Sequence, residues 1–164
     1  MTEYQIRTVR PEDLDQVCKV ENRCFPEAEA ATREAFASRI RLFPQRFFVA
    51  EQSQGKIIGL INGCCTDRPV LEDRLYERDC PHSLEYPWQT VFGLAVDPNY
   101  QHQGIASALM AKLVDAAKAG GQAGVILTCK KEKIGFYESM GFVCRGESQS
   151  QHGGAVWYDM QLDF

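Results

Sequence analysis

Several things are missing from this sequence, and each absence narrows what the chain can be. No apolar run approaches the ~18–20 residues of a bilayer-spanning helix, so a helical membrane span is excluded and no membrane partner is expected. Residues 1–5, Met1-Thr2-Glu3-Tyr4-Gln5, carry neither a basic nor an apolar stretch, so no secretory leader is expected there. Positive charge is not in excess: 18 Lys and Arg stand against 22 Asp and Glu, a net charge of -4. A dedicated nucleic-acid binder usually shows a basic face, so no nucleic-acid partner is expected. Neither G-x-x-x-x-G-K-[ST] nor G-x-G-x-x-G occurs, which removes support from a P-loop NTPase and a Rossmann dehydrogenase alike. There is no C-x-x-C pair, internal repeat, low-complexity tract or Gly/Ser linker.

What is present is ordinary for a globular chain. The 164 residues suit one domain over 1–164. Hydrophobic residues make up 45% and charged residues 24%, which argues against extensive disorder. Seven cysteines, an odd number, sit mostly inside apolar stretches, where a free thiol behaves as a small hydrophobe. That usage predicts a reducing compartment and a cytoplasmic location. Cys64, Cys65, Cys80 and His82 are the one conceivable metal set, and their spacing is not that of a zinc site, so no metal is expected.

Strands and helices alternate along the chain. Tyr4, Ile6 and Thr8 alternate with polar residues and predict a strand over 4–9. Pro11 followed by Glu12 and Asp13 predicts a helix start, with an apolar face running to about residue 24. A second helix is expected over 30–42. Strands over 46–52 and 56–65 flank Gln54-Gly55 as a hairpin. Residues 66–87, with three prolines, are an irregular excursion with a short helix expected over 70–78; long excursions in compact domains are often functional. A buried strand over 88–96, a helix over 104–119 and a strand over 124–129 predict a parallel pair joined by a crossover. A short helix over 132–140 and a hairpin of 142–148 with 155–162 close the chain.

The stretch that carries chemistry is Leu94-Ala95-Val96-Asp97-Pro98-Asn99-Tyr100-Gln101-His102-Gln103-Gly104-Ile105-Ala106: a buried strand, a tight loop and a helix start. Free N–H groups and the dipole at a helix N-terminus favour anions. Gly104 permits a close backbone approach, Ala106 is small, Ser107 adds a hydroxyl, and no acidic residue lies between Pro98 and Met110. A phosphate cradle and an ordinary strand-to-helix turn both fit these residues.

Gln101-x-x-Gly104-x-Ala106, with Leu94-Ala95-Val96-Asp97-Pro98 before it and Phe136-Tyr137-x-x-x-Gly141-Phe142 after it, resembles the signature of the GNAT acetyltransferases, and the element order resembles theirs over essentially the whole chain. The resemblance implies an α/β fold whose mixed sheet of about seven strands splays between two central parallel strands, flanked by about four helices. It implies acetyl-CoA as cosubstrate. Cofactor contacts are then expected from Leu94, Ala95 and Val96, along Gln101, His102, Gln103, Gly104, Ile105, Ala106 and Ser107, and from Tyr137. Gly93 aligns with the family's strand bulge, and Tyr137 with its general acid, a phenol of pKa about 10 able to protonate a thiolate. Val20-Glu21-Asn22-Arg23-Cys24-Phe25-Pro26-Glu27-Ala28-Glu29, with Arg33-Glu34-Ala35-Phe36, is similar to the arylalkylamine branch.

In the animal members of that branch two histidines precede Leu-Ala-Val. Thr90 and Phe92 stand there, so that proton path does not carry over. The base stays open: Glu85, His82, Glu27 and Glu29 are candidates, the carboxylates also as ammonium binders, and a water chain is the alternative. Phe25, Glu27, Glu29, Thr90 and Phe92 are expected on the acceptor side. His152 reads as incidental. Lys130, Lys131 and Lys133 read as a solvated cluster or a contact to the 3′-phosphate of CoA.

The expected activity is acetyl transfer to a primary amine, a small arylalkylamine or polyamine, by direct attack in a ternary complex. A protein or peptide acceptor, and a non-catalytic acyl-CoA sensor, are the alternatives. The expected state is a monomer or homodimer.

Overall fold

The structure is a computed structural model and describes residues 3–76 and 80–164. In chain order the elements are β1 (Gln5–Thr8), α1 (Leu14–Cys24), α2 (Arg33–Leu42), β2 (Phe47–Glu51), β3 (Ile57–Asn62), β4 (Cys65–Thr66), β5 (Trp88–Val91), β6 (Gly93–Val96), α3 (Ile105–Ala119), β7 (Gly124–Cys129), α4 (Ile134–Glu138), β8 (Val143–Glu147) and β9 (Tyr158–Asp163). Of the helix expected over 70–78, the structure has a 3-10 turn at Asp73–Tyr76, and residues 77 and 78 lie outside the described residues. So do residues 1 and 2 of the segment read for a leader.

Among the described residues the expected mixed α/β fold with a splayed sheet and four helices is present, the splay parting the sheet into two, with nine strands where about seven were expected. The first has the order β1-β2-β3-β6 and is antiparallel throughout; the second has the order β4-β5-β7-β9-β8, with β5 and β7 parallel. Alternation along β2 explains the layering. Phe47 and Val49 turn to α1 and α2, against Val17, Val20 and Phe36. Phe48 and Ala50 turn to α3, against Ile105, Leu109 and Leu113. The first sheet is thus covered on both faces, which explains why all six residues of β3 are buried. On the second sheet Val125 and Leu127 join the α3 side, while Ile126 meets Phe43, Leu71 and Leu75 beneath the 66–87 excursion.

The run expected as one strand over 88–96 is two strands in two sheets. Asn62 pairs with Gly93, and Cys65 with Gln89, so residues 90–92 face only residues 63 and 64. That extra residue is a β-bulge. It pushes the Thr90 carbonyl so close to Gly63 that a Cβ there would lie 1.9 Å from its oxygen; Gly63 is glycine for lack of room. Past the bulge the chain leaves β7 and follows β3. The parallel pairing ends at Val91↔Leu127, whereas β7 runs on to Cys129, so β6 and the end of β7 diverge as a V.

Candidate active site

The V opens into a cleft of about 490 Å³. One wall is β6, an edge strand whose single neighbour is β3. Asp97 N–H donates to the Ile58 carbonyl at 2.8 Å, which fixes the parity of the ladder: Gly93 and Ala95 bond toward β3, and Leu94 and Val96 turn their main-chain groups into the cleft. The Val96 carbonyl accepts from Gln101 Nε2 (3.1 Å) and Cys24 Sγ (3.2 Å). Its N–H is left facing the V.

At one end of the cleft stands the N-terminus of α3. Gly104 is its N-cap, in the left-handed region at φ 81°, with no side chain capping the helix. A Cβ on Gly104 would meet no protein atom within 4 Å. His102 also has a positive φ, 63°, so the loop winds tightly and turns its amides outward. The amides of Ile105, Ala106 and Ser107 are those an α-helix leaves unpaired at its start. This cradle fits a phosphate-bearing group: donors, dipole and open space coincide, and the first turn holds no acidic residue.

Tyr137, on α4, borders the other wall. Its ring meets Phe142 edge-on at 5.9 Å, and burial pushes its phenol above its ordinary pKa, so it stays protonated at any physiological pH. Two thiols also border the cleft, Cys24 and Cys129. Burial pushes both up to about 11. Neither is a thiolate near neutral pH, so the site lacks an activated sulfur nucleophile among them.

Beyond Val96 the cleft is roofed by three segments tied together. The loop between β8 and β9 sends His152 Nε2 to the Glu29 carbonyl (2.9 Å) and Ser150 Oγ to Asp73 Oδ1 (2.5 Å). His152 stacks on Tyr76 at 4.9 Å, Tyr76 packs on Phe92 at 4.9 Å, and Trp157 donates to the His152 carbonyl at 2.8 Å. Lys130 pairs with Glu29 at 2.7 Å.

The cleft therefore gathers Leu94, Val96, Gln101, His102, Gly104, Ile105, Ala106, Ser107, Tyr137, Phe25, Glu29 and Phe92 from the residues singled out in the sequence. Ala95 does not border it, since its side chain turns to α1 and α2. Gln103 and Glu27 are exposed outside it. Thr90 is fully buried at the bulge, with Oγ1 donating to the Cys64 carbonyl at 2.8 Å. His82 lies elsewhere: Nδ1 accepts from Cys65 N–H at 3.0 Å, the ring packs on Phe43, and burial pulls its pKa down to about 4. Glu85 is exposed and does not border the cleft either.

The sequence reading missed Glu21, Tyr76, Thr128 and Trp157, and took His152 for incidental although it roofs the site. The excursion that contributes Tyr76 was the only sign of that wall. Among the described residues no group of three or more His, Cys, Asp or Glu side chains could hold a metal.

Residues 44–144 match the family model for the acetyltransferase (GNAT) domain. N-acetyltransferase 8 of Homo sapiens is 31% identical over 105 residues, 62% of this chain and 40% of that protein. The [ribosomal protein bS18]-alanine N-acetyltransferase of Escherichia coli is 41% identical over 56 residues, 32% of this chain and 38% of that one. The chain thus spans about 40% of the length of these curated relatives. Among solved structures, the GphF GNAT-like decarboxylase in complex with isobutyryl-CoA superposes with a TM-score of 0.83 at 20% identity, covering 97% of this chain and 98% of that one, a likeness of fold.

Proposed function

The chain belongs to the GNAT acetyltransferase domain family, and from that membership we propose that it is an acetyl-CoA-dependent N-acetyltransferase whose acceptor is a small molecule with one primary amine and an aromatic or apolar body. The observation that carries this reading is the single cleft that runs from the uncapped glycine start of α3, along the free edge of β6, to Tyr137.

In this reading the α3 amides hold the diphosphate of acetyl-CoA, and Leu94 and Val96 pair with its pantetheine. The Val96 N–H, facing the V, polarises the acetyl carbonyl. Tyr137, kept protonated by burial, gives its proton to the departing thiolate. With the Cys24 and Cys129 thiols held neutral, the amine attacks the thioester directly.

The roof supports a small acceptor. Tyr76, Phe92, His152 and Trp157 present aromatic surface, and the ties from the β8–β9 loop to Glu29 and Asp73 enclose the space above it. Glu29 is already neutralised by Lys130, so a polyamine would lack a second carboxylate to bind. A peptide N-terminus is the second reading, favoured by the identity to the bS18-alanine N-acetyltransferase.

Calorimetry with acetyl-CoA tests the binding step; no heat and no thermal shift would refute the cradle. Release of free CoA with tryptamine, spermidine and an alanine-ended peptide then separates the acceptors. Tryptamine is expected to turn over best. Preference for the peptide would favour the second reading, and turnover with none of many amines would leave a binding module.

A further inference from the structure

Two buried side-chain polar atoms among the described residues have no hydrogen-bond partner: Glu21 Oε1 and Asn62 Nδ2. They meet at one place. A Cβ built on Gly93 would lie 3.7 Å from Glu21 Oε1 and 3.8 Å from Asn62 Nδ2, with no other atom beyond the local chain inside 4 Å. Both side chains are held in these orientations. Glu21 Oε2 accepts from Ala31 N–H at 2.9 Å. Asn62 Oδ1 accepts from Arg39 Nη1 at 3.1 Å, and because a guanidinium only donates, the amide must turn its NH₂ toward Gly93. Arg39 is fixed in turn by lying over the Phe92 ring at 4.7 Å. Glu21 is 5% exposed and Asn62 0%, so neither orphaned atom is satisfied by bulk solvent.

A carboxylate oxygen that needs a donor and an amide nitrogen that needs an acceptor, a few ångströms apart beside a residue with no side chain, make a water site. It lies at the bulge, on the cleft wall next to Leu94 and Val96. We propose that Glu21 and Asn62 hold a water beside Gly93, and that Glu21 takes the proton of the acceptor ammonium through it. This rests on the N-acetyltransferase reading and supplies the base that reading lacks.

The proton balance closes. The ammonium passes one proton to the water as the water passes one to Glu21 Oε1. The neutral amine forms the C–N bond while the C–S bond breaks. The thiolate takes the Tyr137 proton, the surplus proton on the amide nitrogen restores the tyrosine, and Glu21 releases its proton to solvent. Glu21 is the proton acceptor, and Asn62 and Arg39 are positioning residues. Facing Glu21 are Arg39 from α2 and His152 from the β8–β9 loop, with Cys18 and Cys24 on its own helix. β3 and β6 bring Asn62 and Gly93, which do not titrate. Burial holds the Glu21 carboxyl above the ordinary range against the pull of the Ala31 amide and Arg39, which makes it a stronger proton acceptor than an ordinary carboxylate.

The test uses pH–rate profiles with a series of primary amines of falling basicity that the wild type turns over. Glu21→Gln keeps the shape and the Ala31 contact, so it is expected to fold and to bind acetyl-CoA as the wild type does, by melting and calorimetry. Its kcat with alkylamines should fall about 10²-fold and its acid limb should vanish. The defect should shrink as the amine becomes less basic, because such an amine is already neutral. A structural defect would slow all acceptors alike. Gly93→Ala, at ordinary backbone angles, puts a methyl where the water sits and should lower kcat in the same direction. Wild-type kcat and acid limb in Glu21→Gln, or equal slowing with every amine, overturns the relay and leaves N-acetyl transfer standing. A chain that binds acetyl-CoA and acetylates no amine overturns both.

Discussion

At the scale of single residues, Gly104 and Tyr137 carry the sharpest expectations. Gly104 works by conformation and by room, since φ is 81° and nothing fills the space a Cβ would take. Gly104→Glu forces a side chain into the left-handed region, at about 1–2 kcal/mol, and adds an anion where phosphate binds. The acetyl-CoA Kd should rise at least ~10-fold, the equivalent of about 1.4 kcal/mol; an unchanged calorimetric Kd would move the phosphate site elsewhere. Tyr137→Phe keeps the contacts with Phe136 and Phe142 and removes one hydroxyl. A fall in kcat of roughly 10²-fold with little change in Tm marks an acid; equal turnover returns the residue to the core. Both positions were legible because a short motif concentrates them. Glu21 was not, since its significance lies in an unpaired oxygen that only the folded bulge brings opposite Asn62.

At the scale of elements, strand periodicity found every long strand but not the break at Phe92. Residues 88–96 read as one apolar run because each half is buried, in β5 beside β7 and in β6 beside β3. Pairing partners, invisible in the run itself, make the bulge; the family resemblance marks it at Gly93, and Gly63 opposite, with no room for a Cβ, is a trace that periodicity passed over. The terminal hairpin slipped for a related reason. Its second strand starts at Tyr158 rather than 155, because Ala155 N–H closes a turn on the His152 carbonyl (3.3 Å) and Trp157 binds the same oxygen. The loop that results is the roof of the acceptor space, fastened at Asp73, which accepts from Ser150 Oγ and Gln151 N–H (3.1 Å). Asp73 is exposed, so Asp73→Ala should scarcely move the melting temperature. It should raise the KM for the amine several-fold and leave the acetyl-CoA Kd alone. An unchanged KM would show that the loop holds its place without that fastening.

At the scale of the whole molecule, two ionic features set opposite pH responses. Arg7 joins β1 to the turn before α1 and to the end of β2, with Nη1 on Asp13 Oδ2 at 2.7 Å and Nη2 on Glu51 Oε2 at 2.5 Å. Desolvation alone would raise the Asp13 carboxyl, yet the Arg7 guanidinium and the Arg10 amide together hold it below its ordinary pKa; Arg7 does the same for Glu51. A lowered folded pKa contributes stability that is present above the unfolded value and is lost as pH falls through the folded one. Glu21 is the reverse: its folded pKa is raised, so its contribution is present in acid and lost as pH rises through it. Stability should therefore rise slightly as pH drops from 7 toward the ordinary carboxylate range, then fall below about 4 as Asp13 and Glu51 take up protons. Arg7→Met leaves the 5%-exposed Asp13 side chain without its guanidinium partner, held only by the Arg10 amide, and should cost about 2–3 kcal/mol at pH 7, or about 5–10 °C in Tm. Its melting curve should also lose the steep acid fall, while Glu21→Gln should flatten only the rise that appears as pH drops toward the ordinary carboxylate range. An acid fall as steep in Arg7→Met as in the wild type would place the acid-sensitive groups outside this β1, β2 and α1 junction.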